Sequence, residues 1–144
     1  MRHMRPDVTI RALIDDWVKA IRARDVNGSL ANFAPDVVSF DLIDPLRYVG
    51  SDSVRTRLEA WFSSFQGTIG YDVRDLNIIA SDEVAFCHSL NHVNGTKTDG
   101  KTIDMWWRAT VCFREIDGKW IVTHSHSSVP FDMDSGKASL DLKP

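Results

Sequence analysis

A run of polar and titratable side chains ends the last predicted strand of this chain. The strand begins with the apolar residues Trp120, Ile121 and Val122 and then changes character before it reaches Val129. Histidine and hydroxyl side chains can transfer protons or hold polar ligands near neutral pH. Polar side chains at positions where a core is expected are typical of the wall of a ligand pocket. The run consists of Thr123, His124, Ser125, His126, Ser127 and Ser128.

The direction in which these side chains point decides what chemistry they can do. Side chains alternate between the two faces of a strand, so His124 and His126 share one face. Counting from the turn at Gly118-Lys119 places both histidines on the outer face, but one β-bulge would reverse the assignment. Two interpretations stay open. Either His126 transfers protons and His124 contacts a ligand in a pocket, or both form hydrogen bonds at a dimer interface.

The preceding predicted strand carries Arg108, whose direction is equally open. The apolar positions of that strand alternate through Met105, Trp107 and Ala109, and this pattern favours an outward Arg108. An inward Arg108 would instead bind an anion or the oxygen of an enolate, because its guanidinium donates charge-assisted hydrogen bonds.

The histidines are also candidate metal ligands. A site of two imidazoles and one carboxylate needs ligands on one face, and histidines two or four residues apart on a strand meet that condition. Any two histidines of equal parity meet it too, and no tight motif such as HExxH occurs. We therefore predict no metal, although the candidate ligands are His88, His92, His124 and His126 with Asp41 or Asp104.

Helices in the first half of the chain must position these strands. Apolar residues keep helical spacing from residue 9 to about 24, and again from residue 51 or 52 to about 64, so an amphipathic helix is predicted in each range. Asp7 or Thr9 could cap the first helix. Between the helices, the sequence predicts a helical turn at residues 29–33 and a strand at residues 37–41.

The second half of the chain predicts four consecutive strands joined by tight turns. Asp117-Gly118 is a strong hairpin signal, and Asn94-Gly95 and Asp99-Gly100 supply further turn residues. Helices followed by antiparallel strands favour an α+β fold in which the helices pack on one face of a bent sheet. The predicted strands cover residues 68–76 or a little beyond, 84–93, 101–114 and 119–129.

The composition is that of an ordinary folded domain of 144 residues. The formal charge of −3 offers no basic stripe, so neither nucleic acid nor an anionic membrane is predicted as a partner. No apolar run approaches the ~20 residues that span a bilayer, and no hydrophobic segment near the N-terminus predicts a secretory signal. Cys87 and Cys112 lack a CxxC spacing, which favours two reduced core thiols in a cytoplasmic protein.

The order of predicted elements carries a resemblance to a known family. Helix, short helix, strand ending in aspartate, helix and four long strands resemble the ketosteroid isomerase-like superfamily, which has the nuclear transport factor two-like fold. The stretches VVSFD, GSDSVRTRLEAWFSSF, VAFCHSL and DGKWIVTHSHSSVPF are most similar to its SnoaL-like branch. The resemblance covers residues 9–131 and implies a cone-shaped α+β barrel. Residues 1–8 would form an N-terminal extension, and residues 132–144 a polar C-terminal tail that is extended or partly disordered.

The resemblance implies roles for individual residues. Asp41 falls where ketosteroid isomerases place an aspartate general base, and Trp17 falls where they place a tyrosine hydrogen-bond donor. Their second donor, a protonated aspartate, is replaced by Ala109 or Thr110. Two of the three roles have therefore changed, and steroid isomerisation itself is not expected.

The resemblance also predicts part of the cavity wall. It points His88 and His92 inward, where their imidazoles would orient a ligand or relay protons; the alternative is that they are hydrogen-bonded core groups. Trp61 would pack the second long helix against the sheet and form one wall of the cavity.

Two functions follow from these observations. The first is cofactor-independent proton transfer next to a carbonyl, as in an isomerase, cyclase or dehydratase. Asp41 would act as the base on a small apolar molecule of polyketide or steroid type. The second is a non-catalytic ligand-binding or dimerisation module of the same fold. A homodimer is expected, because the outer sheet face of many relatives packs against a second subunit.

Overall fold

Three helices lie in residues 5–144, the part of the chain that the computed structural model describes. α1 spans Pro6–Arg22, α2 spans Val26–Leu30 and α3 spans Ser51–Ser63. Proline suits the first turn of a helix because its missing N–H would have no partner there. α2 begins after Asp25, whose carboxylate accepts a hydrogen bond from the Gly28 N–H at 2.9 Å.

Both predicted long helices are confirmed, but the boundaries near the N-terminus differ. α1 begins before residue 9 because Pro6 opens its first turn, and neither Asp7 nor Thr9 caps it. The helical turn predicted at residues 29–33 is misplaced, because the cap described above starts α2 earlier.

A curved sheet of six strands, open at both edges, makes up the rest of the fold within residues 5–144. The strands are β1 Phe33–Phe40, β2 Tyr48–Val49, β3 Phe65–Ala80, β4 Val84–Lys97, β5 Thr102–Ile116 and β6 Lys119–Ser128. Their order is β2-β1-β6-β5-β4-β3, with β1 and β6 parallel and all other neighbours antiparallel. The predicted α+β class, with N-terminal helices on a bent and mainly antiparallel sheet, is confirmed. Only β2, too short for a periodic pattern, has no counterpart in the prediction.

One of the two turns predicted between the middle strands is wrong. Asn94-Gly95 lies inside β4, so this strand is longer than the sequence predicts. A Cβ atom at Gly95 would lie 3.0 Å from the Phe65 ring, which explains a glycine in the middle of this strand. The chain reverses later, at Asp99-Gly100, where Gly100 has a φ of +86° that suits glycine.

The core lies between the helices and the inner face of the sheet, defined as the face toward α1. Val37 and Phe113 are almost fully buried in one cluster with Ile10, and Ile21 at the other end of α1 belongs to a second cluster. Burial of each such side chain stabilises the fold by roughly 1.5–3 kcal/mol. The apolar stripe of α1 therefore fixes the helix to the sheet at both ends.

Parts of both predicted terminal segments have regular structure. The first four residues of the extension at 1–8 lie outside the described residues, and Pro6 already belongs to α1. The tail at 132–144 is expected to be an extended arm or partly disordered, but it folds back, because Phe131 and Ala138 form an isolated β-bridge.

Cys87 and Cys112 are free thiols within strands. Cys87 is buried, and burial raises its pKa to about 11. Cys112 is half-buried on the outer face, where burial also raises its pKa. Among the helices between residues 5 and 144, none combines the length and the apolar character that crossing a bilayer requires. A cytoplasmic location stays a prediction.

We expect the free energy of unfolding to fall as the pH rises from 9 to about 11. In this window the unfolded chain has lost the proton of Cys87, whose ordinary pKa is 9.0, whereas the folded chain still holds it. The unfolded state then binds fewer protons, so a rising pH favours it. Tyr71 acts in the same direction, because burial raises its pKa above the ordinary 10.0.

Urea unfolding at several pH values across this window measures the effect. The double variant Cys87→Ala, Tyr71→Phe should show a flatter dependence than the parent protein. A parent protein whose stability does not change over this window would contradict the burial of these two groups.

Candidate functional site

A cavity of about 1000 Å³ lies between the helices and the inner face of the sheet. Most of its wall is apolar, so the few polar groups on it are candidates for contacting a ligand. Alternation along the strands decides which residues reach it. From the two central strands these include Cys87, Ser89, Asn91, Val93 and Lys97 on β4 and Met105, Trp107, Ala109 and Val111 on β5.

Asp41, the predicted base, lies on the wall of this cavity directly after β1. Its side chain is 27% exposed. The Oδ1 atom accepts a hydrogen bond from the Leu42 N–H at 2.6 Å, and Oδ2 lies 3.3 Å from the Nε atom of Arg57. The carboxylate is thus held in place at one oxygen and attracted by a positive charge at the other.

Arg57 of α3 is a cavity residue that the sequence analysis did not single out. Its Nε atom is buried, and the contact with Asp41 is a charge attraction without the geometry of a hydrogen bond. The pattern of α3 predicts a solvated face for a charged residue, so the sequence carries no signal for this position. Within residues 5–144 no hydrogen bond uses the guanidinium of Arg57, which leaves its donors available to a ligand.

Three polar side chains on the cavity wall form a chain of hydrogen bonds. The Ser89 hydroxyl donates to the Asn91 side-chain oxygen at 2.7 Å, and the Asn91 amide donates to the Tyr71 hydroxyl oxygen at 2.8 Å. Burial raises the pKa of Tyr71, so this phenol stays protonated and is a donor at neutral pH. The Tyr71 ring lies between the indoles of Trp17 and Trp107, with centroids 5.2 and 5.6 Å away.

Both tryptophans predicted for the site lie on the cavity wall. Trp17 contacts Tyr71 edge-on, and no hydrogen bond within the described residues uses its indole N–H. Trp61 packs edge-on against Phe65, with ring centroids 5.2 Å apart. Their contacts with a ligand stay predictions.

The expectation that His88 and His92 point into the cavity is wrong. Ala85 of β4 pairs with the buried Phe113, so the odd-numbered residues of β4 face inward and both histidines face outward. His92 instead lies 2.7 Å from Asp104 through its Nε2 atom. Its ring also stacks on Trp106 with centroids 4.4 Å apart.

The histidines of β6 also face outward, which rejects the pocket-lining interpretation of His124 and His126. His124 Nδ1 lies 2.6 Å from the Val38 carbonyl oxygen, and His126 is exposed. Both rings pack edge-on against Phe40, at centroid distances of 4.7 and 5.3 Å. The cavity receives hydroxyl groups from this strand instead, and Ser125 lies 3.0 Å from Ser39.

A β-bulge explains this arrangement of β6. The parity counted from the hairpin turn is wrong for the first half of the strand, where Trp120 and Val122 face inward, and the bulge then turns the histidines outward rather than inward. The ladder of β6 with β5 shifts register so that Thr123 has no partner. Trp120 and Val122 are buried before the bulge, and Ser125 and Ser127 line the cavity after it. The bulge therefore lets an apolar core segment continue into a polar cavity wall.

Arg108 lies on the outer face, as its strand pattern favours, and donates a hydrogen bond to the Ser128 hydroxyl at 3.1 Å. It therefore does not reach the cavity, and the alternative of an inward anion partner is wrong. The residues between 5 and 144 contain no group of three or more histidine, cysteine, aspartate or glutamate side chains that could hold a metal ion.

Comparisons with known proteins agree with this architecture. A family described as "SnoaL-like domain" matches residues 10–132. An NTF2-like protein of unknown function from Pseudomonas putida KT2440 is 35% identical, with 99% of this chain and 100% of that chain covered and a TM-score of 0.87. No curated protein matches the chain.

More distant structures share the fold. A ketosteroid isomerase-like protein from Erwinia carotovora atroseptica is 19% identical, with 84% of this chain and 93% of that chain covered and a TM-score of 0.72. A protein provisionally named a dehydratase of the NTF2-like family, from Streptomyces avermitilis, is 14% identical, with coverage of 86% and 97% and a TM-score of 0.73.

We expect a larger side chain at Ala109 to abolish binding of an apolar probe to the cavity. Ala109 is buried on the cavity wall, so the ring in Ala109→Phe would occupy the space of a ligand. Fluorescence titration with N-phenyl-1-naphthylamine measures the loss. His92→Ala is the control, because His92 lies on the other face of the sheet. If His92→Ala loses binding of the probe while Ala109→Phe binds it as the parent does, the site is not on the inner face.

Proposed function

The chain belongs to the SnoaL-like family, and from this membership we propose that it binds a small apolar molecule in its cavity and transfers a proton next to a carbonyl group of that molecule. Relatives of this fold include proteins named as isomerase-like and, provisionally, as a dehydratase. The observation that carries the proposal is Asp41, a half-buried carboxylate on a mostly apolar wall.

Asp41 has the properties that a general base needs. Its hydrogen bond from Leu42 and its contact with Arg57 hold the carboxylate in one orientation, while lone pairs of both oxygens stay available. A base fixed beside a bound ligand abstracts a proton without first reorganising, which lowers the barrier.

The chemistry would proceed through an enolate. The carbon–hydrogen bond next to the carbonyl breaks, Asp41 takes the proton, and the electron pair moves onto the carbonyl oxygen. If the enolate is conjugated with a double bond, return of the proton to the far carbon gives an isomer. Attack of the enolate carbon on a second carbonyl closes a ring, and the new alkoxide takes the proton back from Asp41. Loss of a β-hydroxyl group, which leaves as water with the proton from Asp41, gives dehydration. These steps need no cofactor.

Donors on the cavity wall would stabilise the enolate oxygen. Trp17 and the histidines were the predicted donors, but the histidines at positions 88, 92, 124 and 126 lie on the outer face. Tyr71 and Trp17 are two of the neutral donors on the inner face, and their rings touch edge-on. A donor aimed at an oxygen that gains charge stabilises the transition state more than the ground state.

The cavity favours a small molecule of polyketide or steroid type. Its volume of about 1000 Å³ is at the upper end for small-molecule sites. Its aromatic residues, including Trp17, Trp61 and Trp107, offer flat apolar surfaces to fused rings.

Exchange of carbon-bound protons tests the proposed chemistry. The apolar ketone 2-tetralone carries acidic protons next to its carbonyl, and nuclear magnetic resonance follows their replacement by deuterium in D2O. We expect the protein to accelerate this exchange and Asp41→Asn to lower the catalysed rate by roughly 10²- to 10⁴-fold. His126→Ala is the matched control and should exchange at the parent rate.

Equal rates for the parent and Asp41→Asn would reject Asp41 as the base. Binding of the ketone without any acceleration of exchange would favour the second function, a non-catalytic module that stores or carries a ligand.

The outer face of the sheet supports the expected homodimer. Ile79, Phe86 and Phe40 are 53%, 43% and 36% exposed there, and the half-buried His124 lies among them. An apolar sheet face of this kind is typical of a protein interface. We propose that two copies pack through these faces, with the histidines at the interface.

Analytical ultracentrifugation tests the dimer directly. We expect a mass of twice the 16.3 kDa chain, and we expect Phe86→Glu to shift the species toward the monomer because a carboxylate would be buried in the interface. Glu59→Lys on the exposed side of α3 is the control for a change of charge. A parent protein that stays monomeric at high concentration would reject the interface.

A further inference from the structure

Among the half-buried charged groups that line the cavity, positive charges outnumber negative charges. Asp41, Arg57 and Lys97 are half-buried, which gives two positive charges and one negative charge. Asp16 and Lys19 also line the cavity but are exposed on α1, where solvent screens them. Asp25 is exposed as well, and its carboxylate caps α2 as described above.

Arg57 has more donors than the protein uses. Its guanidinium carries five N–H groups, and within the described residues its one ion pair is with the Asp41 carboxylate beside Nε. The two terminal nitrogens are free for a planar, two-oxygen partner such as a carboxylate, which an arginine binds with two parallel hydrogen bonds.

Lys97 supplies the second half-buried positive charge of the cavity lining. Its ammonium donates to the Ser64 hydroxyl at 2.8 Å and lies 3.9 Å from the centroid of the Phe65 ring. Burial lowers the pKa of Lys97, and the nearby charge of Arg57 lowers it further. Two partly desolvated cations that repel each other gain stability when an anion lies near both.

We propose that the natural ligand of the cavity is an apolar molecule with one anionic group, such as a carboxylate, which is bound by Arg57 and Lys97. This inference rests on the proposed function, because it assumes that the cavity is the ligand site. It narrows the substrate class from neutral apolar ketones to apolar acids and predicts that the protein discriminates by charge.

Two dyes with the same aromatic skeleton test this charge selection. 8-Anilinonaphthalene-1-sulfonate carries one negative charge, whereas N-phenyl-1-naphthylamine lacks the sulfonate and is neutral. Fluorescence titrations give a Kd for each dye. We expect added sodium chloride to weaken binding of the anionic dye and to leave the neutral dye unchanged, because salt screens the attraction to partly exposed cations.

Variants of the two cations give the decisive comparison. We expect Arg57→Gln and Lys97→Gln each to raise the Kd of the anionic dye by about tenfold, since each removes a charge-assisted contact. The Kd of the neutral dye should stay within about twofold of the parent value. Arg55→Gln is the matched control, because Arg55 lies on the same helix but donates to Asn27 away from the cavity. Circular dichroism checks that each variant is folded.

The outcomes separate this inference from the proposed function. If the neutral dye binds in the cavity but both glutamine variants bind the anionic dye as the parent does, the charge selection is wrong and the proposed function still stands. If neither dye binds to the parent, or if Ala109→Phe leaves both Kd values unchanged, the cavity is not the ligand site and both proposals fail. If one of Arg57→Gln and Lys97→Gln fails to fold, the other still tests the charge selection.

Discussion

The β-bulge at Thr123 is the constraint on which both faces of the sheet depend. Before it, Trp120 and Val122 fill the core; after it, Ser125 and Ser127 line the cavity, so the inner face changes from even to odd positions within one strand. Without the extra residue, continued alternation from the buried tryptophan would turn the two histidines of β6 inward. The bulge therefore decides that the cavity receives hydroxyl groups and that the imidazoles go to the outer face.

The two faces of the sheet therefore carry side chains with different chemistry. Its inner face combines an apolar wall with a few polar groups that are held by neighbours, among them Asp41 beside Arg57 and Tyr71 beside Asn91. Such groups are already oriented before a ligand arrives, which is what binding and proton transfer require. The outer face carries exposed apolar side chains and the histidines, among them His92 stacked on Trp106, and it is the face that we propose as the dimer interface.

Strong periodicity made the long helices and the α+β class predictable from the sequence, and the resemblance identified the aspartate after β1. The orientation of β4 could not be predicted, because both of its faces carry apolar residues: Phe86 and Leu90 on one side, Cys87 and Val93 on the other. Pairing with β5, whose inner face is consistently apolar, decides the parity, and this is a tertiary property. Arg57 was missed for a related reason, since a charged residue on an amphipathic helix is usually solvated.

In the proposed reaction, a ligand binds on the inner face with a reactive carbon beside Asp41. A crystal structure of the protein with bound 2-tetralone would show whether the ketone binds in this way. We expect the ketone inside the cavity, with a carbon next to its carbonyl about 3–3.5 Å from an Asp41 carboxylate oxygen, the distance of a near-attack arrangement. A ketone bound only on the outer face beside the histidines, or in the cavity with that carbon turned away from Asp41, would reject Asp41 as the base.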